Sequence, residues 1–273
     1  MGLIQHKREA YWFYRFLSLG YDRWVNPLFW TTAMRARALD AARLDAPGLE
    51  VLDAGAGTGF TTEGIVERVD PECVTMLDQS PHQLARARAK PQLAGCAKLI
   101  GDAEDLPFAT DRFDRYVSAG SIEYWPDPQR AVAEAYRVLR AGGRALIAGP
   151  VLPAHPLLRR LADAWMLFPT ERQYRDWLLR AGFADMQVVT LAPPWYRSRR
   201  GPYAVAVNGT KPAPGASPLV LPPPSERVLA PMGPAGRLRA SLRFAAGSLA
   251  GALFVPLAAA LALRRRLQER RAR

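Results

Sequence analysis

Cysteine and histidine are scarce in this chain of 273 residues: two cysteines, Cys73 and Cys96, and three histidines, His6, His82 and His155. No C-x-x-C and no Cys/His cluster occurs, which excludes a disulfide scaffold and a cysteine zinc site and fits a reducing compartment. The histidines are too few for a multi-histidine centre, so no metal is expected. No internal repeat is present. The chain opens with charges and aromatics, not with an apolar or Ser-rich leader, so no cleavable signal or transit peptide is expected there. What remains is ordinary globular material, 49% apolar and 23% charged, which excludes wholesale disorder. The length suits one large domain, or one domain with appendages.

Acidic residues are also in deficit, 25 against 37 basic, for a net charge of +12. The excess is local. From Arg237 onward nine arginines face Glu269 alone, which leaves only +4 for the first 236 residues. A near-neutral body argues against nucleic acid, whereas a basic tail around an apolar run argues for a membrane. Residues 244–263 (FAAGSLAGALFVPLAAALAL) carry no charge. As a helix they would reach about 30 Å, one hydrocarbon thickness, and they are expected to form a transmembrane anchor. Upstream, residues 211–236 are rich in proline and are predicted to be an extended linker holding the body off the membrane. The expected layout is a helical cap over 1–48, a catalytic domain over 49–210, linker and basic flank over 211–243, the anchor over 244–263 and a basic tail over 264–273.

Short apolar runs alternate with amphipathic stretches from residue 49 to about 191, the pattern of an α/β domain with a mostly parallel sheet covered by helices. Strands are predicted at 49–53, 73–78, 97–100, 114–119, 144–149, 185–191 and 203–208, and helices near 60–69, 81–90, 127–140 and 171–181. Ser80–Pro81 and Asp127–Pro128 read as helix starts. In such sheets ligands bind beyond the carboxyl ends of the strands. The chemistry is therefore expected in loops 54–60, 78–82, 101–107 and 119–127.

The sharpest motif is VLDAGAGTG over 51–59. Gly55, Gly57 and Gly59 allow a tight turn and a close backbone approach to a ligand ahead of a helix. A dinucleotide fingerprint would need glycine or alanine at position 60, where Phe60 stands, and Asp53 would repel a pyrophosphate. A carboxylate there suits a cationic group such as the α-ammonium of a methionine moiety. The motif resembles motif I of class I S-adenosylmethionine methyltransferases, whose fold is Rossmann-like with a seven-stranded, mostly parallel sheet. Asp78, at the end of the second strand, can accept both ribose hydroxyls. The resemblance gives Asp102, after the third strand, the adenine amino group, with the next backbone N–H, that of Ala103, on the ring. Gln79 and Ser118 complete the candidate cofactor set. In the loop after the fourth strand Glu123 is the candidate base, with an arginine-paired structural carboxylate as the alternative. Tyr124 and Trp125 can stack on an aromatic acceptor or pack into the core. His82 can cap a helix or line the ribose side.

Longer blocks narrow the resemblance. HKREAYWFYRFL over 6–17, LDQSPHQL over 77–84, GDAEDLPF over 101–108, SAGSIEYWPDPQR over 118–130 and WMLFP over 165–169 together resemble the plant-type 2-methyl-6-phytyl-1,4-benzoquinol / 2-methyl-6-solanesyl-1,4-benzoquinol methyltransferases of the chloroplast inner envelope. The likeness implies transfer of a methyl group from S-adenosylmethionine to a ring carbon of a prenylated hydroquinone, on the way to tocopherol and plastoquinol. Tyr11 and Tyr14, in the aromatic N-terminal segment, are candidate substrate contacts, in a lid or at the lipid interface. The departures are an alanine-rich anchor, Ala54 and Ala56 in the glycine loop, and the missing transit peptide. The same cofactor motifs would serve a methyltransferase of another lipid quinone or of a sterol.

Overall fold

The computed structural model describes residues 30–165, 167–194, 196 and 201–222, with isolated positions between 238 and 264. The described elements, in chain order, are α1 (Thr32–Asp40), β1 (Val51–Ala54), α2 (Phe60–Val66), β2 (Val74–Asp78), α3 (Pro81–Arg88), β3 (Ala97–Ile100), β4 (Phe113–Ala119), α4 (Pro128–Val138), β5 (Leu139–Pro150), α5 (Pro156–Trp165), α6 (Glu171–Ala181), β6 (Ala184–Leu191) and β7 (Ala204–Thr210). One seven-stranded sheet runs β3-β2-β1-β4-β5-β7-β6. β1 to β5 are parallel, and β7 is antiparallel to both β5 and β6. The order reverses at β1, which places the ends of β1, β2 and β4 around one crevice.

Strand periodicity splits the core into two layers. Leu52, Tyr116, Ile147 and Val207 face α4 and α6, packing with Val132, Tyr136, Leu178 and Phe183. Their neighbours Val51, Val117, Leu146 and Ala206 face the other way, toward Met34 and Leu39 of α1, Ile65 of α2 and Leu84 of α3. The helices begin where the sequence marks them. Ser80 Oγ accepts from Gln83 N (3.4 Å) ahead of Pro81, and Asp127 Oδ1 accepts from Arg130 N (3.1 Å) ahead of Pro128. His82 is exposed, and the cap of α3 belongs to Ser80. Thr170 and Gln173 form a capping box at α6.

Buried Arg35 holds α1 to α2. It donates to Phe60 O (2.9 Å), pairs with Glu67 (3.0 Å) and lies 4.8 Å from the centre of the Phe60 ring. Residues 1–29, with Tyr11 and Tyr14, lie outside the described residues.

Three features differ from the expected layout. The helix predicted over 127–140 stops at Val138, because Leu139 is extended (ψ 143°) and already pairs with Phe113. α5 was not predicted: prolines at 153, 156 and 169 interrupt the sequence around it and hide its period. The third is at the start of the Pro-rich linker. Residues 211–222 lie against the domain, with Lys211 fully buried, so this part is no free spacer; residues 223–236 lie outside the described residues. Among the described residues no helix is long and apolar enough to cross a membrane. The expected anchor over 244–263 falls, apart from isolated positions, outside them.

Candidate active site

The glycine loop is fixed by backbone hydrogen bonds to the end of β2. Gly55 N and Ala56 N both donate to Leu77 O, at 2.8 and 3.0 Å. Gly55, Gly57 and Gly59 all have positive φ (73°, 57° and 87°), so an L side chain at any of them would be strained. A Cβ on Gly55 would also overlap Ser121, which therefore rests on the loop, and one on Gly59 would come within 3.2 Å of Met76 Cε. Gly57 instead faces open space.

Two carboxylates border this turn. Asp53, 1% exposed, accepts from Thr62 Oγ1 at 2.6 Å through Oδ2, and its buried Oδ1 has no partner among the described residues. Burial raises its pKa to about 7, opposed by the Thr62 hydrogen bond and reinforced by the charge of Asp78. Asp78, half-buried at the end of β2, accepts from Ser80 N (2.8 Å) through Oδ1 and from Gly57 N (2.9 Å) through Oδ2. The protein packed around it raises its pKa to about 6, with those two amides opposing. Gln79 follows it, also half-buried.

The loops after β3 and β4 close the crevice. Asp102 Oδ1 accepts from Glu104 N (2.9 Å), and Glu104 Oε1 accepts from Asp127 N (2.8 Å), which ties one loop to the other. Ala103 is buried, and so is Ser118, whose hydroxyl has no partner among the described residues. Glu123 sits in a single 3-10 turn, Ile122–Tyr124. It is 4% exposed, and its Oε2 has no partner, arginine or other, among the described residues. Burial raises its pKa to about 8. Tyr124 and Trp125 are buried, and Trp125 joins Ile122 in the core layer under α4.

One residue that sequence reasoning missed shares this pocket. Tyr174 of α6, fully buried, donates from its hydroxyl to Pro150 O at 3.0 Å. A Cβ on Gly149 would overlap that hydroxyl and lie 3.3 Å from Glu123 Oε2, so Gly149 makes room for both groups. Burial, and then the charge of Glu123, holds the Tyr174 phenol well above its ordinary range. An aromatic on the inner face of a helix carries no sequence signal for such a place.

The site combines a backbone cradle, a buried carboxylate oxygen open to a cationic N–H donor, a second carboxylate at the strand end, and a buried, largely neutral carboxyl beyond them. This donor and acceptor set fits S-adenosylmethionine, which carries an ammonium, a ribose diol and a sulfonium. A profile of the methyltransferase domain family matches residues 52–147. A crystallised S-adenosylmethionine-dependent methyltransferase from Mesorhizobium loti shares the fold, with a TM-score of 0.54 and 22% identity over 66% of this chain and 98% of that one. Fold and site thus define a class I methyltransferase with S-adenosylmethionine as its cofactor. The 2-methyl-6-phytyl-1,4-hydroquinone methyltransferase of Spinacia oleracea is 54% identical over 255 residues, 92% of this chain and 73% of its own length. Its counterpart in Arabidopsis thaliana is 55% identical over 256 residues, 92% and 75% respectively, and both carry the designation chloroplastic. The chain belongs to this family of 2-methyl-6-phytyl-1,4-hydroquinone methyltransferases.

Proposed function

We propose that the enzyme methylates a ring carbon of a prenylated benzoquinol, of the 2-methyl-6-phytyl and 2-methyl-6-solanesyl type. The reading is carried by the buried Glu123 carboxyl beside the cofactor crevice, in a chain similar along 92% of its length to phytyl-hydroquinone methyltransferases. Asp53 Oδ1 takes the α-ammonium of the cofactor, Asp78 the ribose hydroxyls, and Asp102 with the Ala103 amide the adenine. Gly55, Gly57 and Gly59 admit the cofactor to the backbone, and Gln79 and Ser118 line the same crevice.

When bound, S-adenosylmethionine supplies an electrophilic sulfonium methyl group. A hydroquinone ring carbon is a poor nucleophile until the neighbouring hydroxyl is deprotonated, and a phenol of pKa about 10 needs a positioned base near neutrality. Glu123 in its carboxylate form accepts the phenolic proton, which pushes electron density onto the ortho carbon. The new carbon–carbon bond forms there as the methyl–sulfur bond breaks, its electron pair staying on sulfur to leave the neutral thioether. The ring carbon's hydrogen then leaves as a proton to solvent, and Glu123 returns the first proton to the oxygen. Burial of the pocket excludes water while the carbon is aligned with the methyl group. Tyr124, Trp125 and, from the N-terminal cap over 1–48, Tyr11 and Tyr14 contact the acceptor.

A phytyl or solanesyl tail resides in lipid, so the reading includes a membrane anchor over 244–263 with basic flanks, and a plastid inner-envelope location. The test is turnover in lipid with S-adenosylmethionine and the two reduced quinols, products being read by mass spectrometry. Gain of one ring-carbon methyl group is expected. Absence of product, with cofactor binding intact, would overturn the substrate assignment.

A further inference from the structure

The segment after β7 is tied to the domain by a buried cation. The Lys211 ammonium lies 2.6 Å from Asp111 Oδ1 and donates to Gly215 O (2.6 Å) and to the main-chain oxygen of Arg137 (3.4 Å). It stands 4.8 Å from the centre of the Tyr136 ring. Asp111 Oδ2 accepts from Gly215 N at 2.9 Å. Further along, Ser217 Oγ donates to Ala181 O at 2.9 Å, and Pro218 crosses Gly182 so closely that a Cβ there would stand 2.8 Å from it. A buried ammonium is expensive to desolvate and is stable only where its partners compensate, here Asp111 and the main-chain oxygens of Gly215 and Arg137. Removing it would leave all three without their donor.

What it holds is Arg137, at the end of α4. The Arg137 guanidinium donates to Phe108 O (2.7 Å) and Leu106 O (2.9 Å) and forks onto Glu134 at 2.7 Å through both oxygens. Glu134 Oε2 also accepts from Leu106 N at 2.8 Å. Residues 106–108 are thus gripped from both sides of the main chain, and the same loop continues back through Glu104 to Asp102. Hydrogen bonds from Lys211 to the main chain of Arg137 and from the Arg137 side chain to residues 106–108, linked by the covalent main chain between them, join the root of the C-terminal segment to the loop after β3.

We propose that Lys211 and Arg137 are positioning residues for adenine: the docked strap over 211–218 fixes Arg137, and Arg137 fixes the loop that presents Asp102 and Ala103 to the base. This rests on the reading that Asp102 and the Ala103 amide take the adenine. Both residues act through the loop and neither touches the cofactor.

Affinities of the full chain for S-adenosylhomocysteine and for S-inosylhomocysteine, which has oxygen in place of the 6-amino group, separate adenine recognition from general integrity. Lys211→Met and Arg137→Lys should each weaken the adenosyl ligand about tenfold and leave the inosyl ligand nearly unchanged, so that the preference for adenine collapses. Turnover at saturating cofactor should stay within about twofold of the parent. Equal weakening of both ligands, or an unchanged preference in a folded variant, would overturn the proposal. Arg137→Lys keeps the charge but loses the fork onto Glu134 and part of the grip on Phe108 O and Leu106 O, so it tests the link to the loop. If Lys211→Met does not fold, Asp111→Asn, which removes the charge that Lys211 pairs with, tests the strap by the same readout. Asp102→Ala separates the two readings. If it keeps the preference, the adenine assignment itself fails; if it loses it while the two positioning variants keep it, only the path from the strap fails.

Discussion

Asp53 and Glu123 are both buried, and each keeps one carboxylate oxygen without a partner among the described residues. Leaving such an oxygen unsatisfied costs about 1–3 kcal/mol, and both positions lie in one crevice, at the ends of β1 and β4. For Asp53 the cationic end of the cofactor satisfies the deficit. Since its pKa stands near 7 without ligand, cofactor affinity should rise with pH through about 7 and level off above it. Asp53→Asn should weaken binding by about tenfold to a hundredfold and flatten that profile, measured by calorimetry from pH 5.5 to 8.5. For Glu123, with a pKa near 8, only the ionised fraction can act as base, so turnover should climb with pH to about 8. Glu123→Gln should slow turnover by at least about tenfold with cofactor affinity unchanged, and the limb near 8 should vanish. Unaltered turnover would remove Glu123 from the mechanism.

Elements that end in a chemically distinctive residue were legible, and those defined by long-range packing were not. Asp53, Asp78 and Asp102 each follow an apolar run of β type, so their places at strand ends could be read directly. Tyr174 reaches the Glu123 pocket only because α6 lies across the far end of β5, and no local pattern records that. Lys211 is hidden differently. It opens a proline-rich stretch whose composition reads as linker, yet its backbone extends the pairing of β7 with β5, exchanging hydrogen bonds with Gly142 and Gly143. The glycine loop shows how tightly neighbouring elements are matched. Gly55→Ala would impose a side chain at φ 73°, costing about 1–2 kcal/mol, and would drive its Cβ into Ser121. Cofactor affinity should fall sharply, and adding Ser121→Gly should recover the steric part but not the backbone part. Additive losses in that double-mutant cycle would show that Ser121 does not press on Gly55.

Across the whole molecule the raised carboxyls set how stability depends on pH. Asp53 goes from 3.8 to about 7, Asp78 from 3.8 to about 6, and Glu123 from 4.5 to about 8. In each case the folded state holds the proton more tightly than the unfolded state, so stability is fully present below the unfolded value and is lost as pH rises through the folded one. The ligand-free enzyme should therefore lose stability between about pH 4 and about pH 8, Asp78 contributing least because solvent reaches it. Self-repulsion in a chain of net charge +12 works in the opposite direction, since raising the pH removes positive charge and relaxes it. The sign of the trend thus separates the site from the bulk. A melting temperature lower by about 5 °C or more at pH 8 than at pH 5 is the expected outcome in scanning calorimetry without ligand. The Asp53→Asn/Glu123→Gln double variant should show a much smaller drop, or a rise. Cofactor should stabilise the parent more at pH 8 than at pH 5, because its ammonium then meets a carboxylate already ionised. A parent whose stability rises steadily with pH would show that these buried carboxyls are solvated far better than their surroundings indicate.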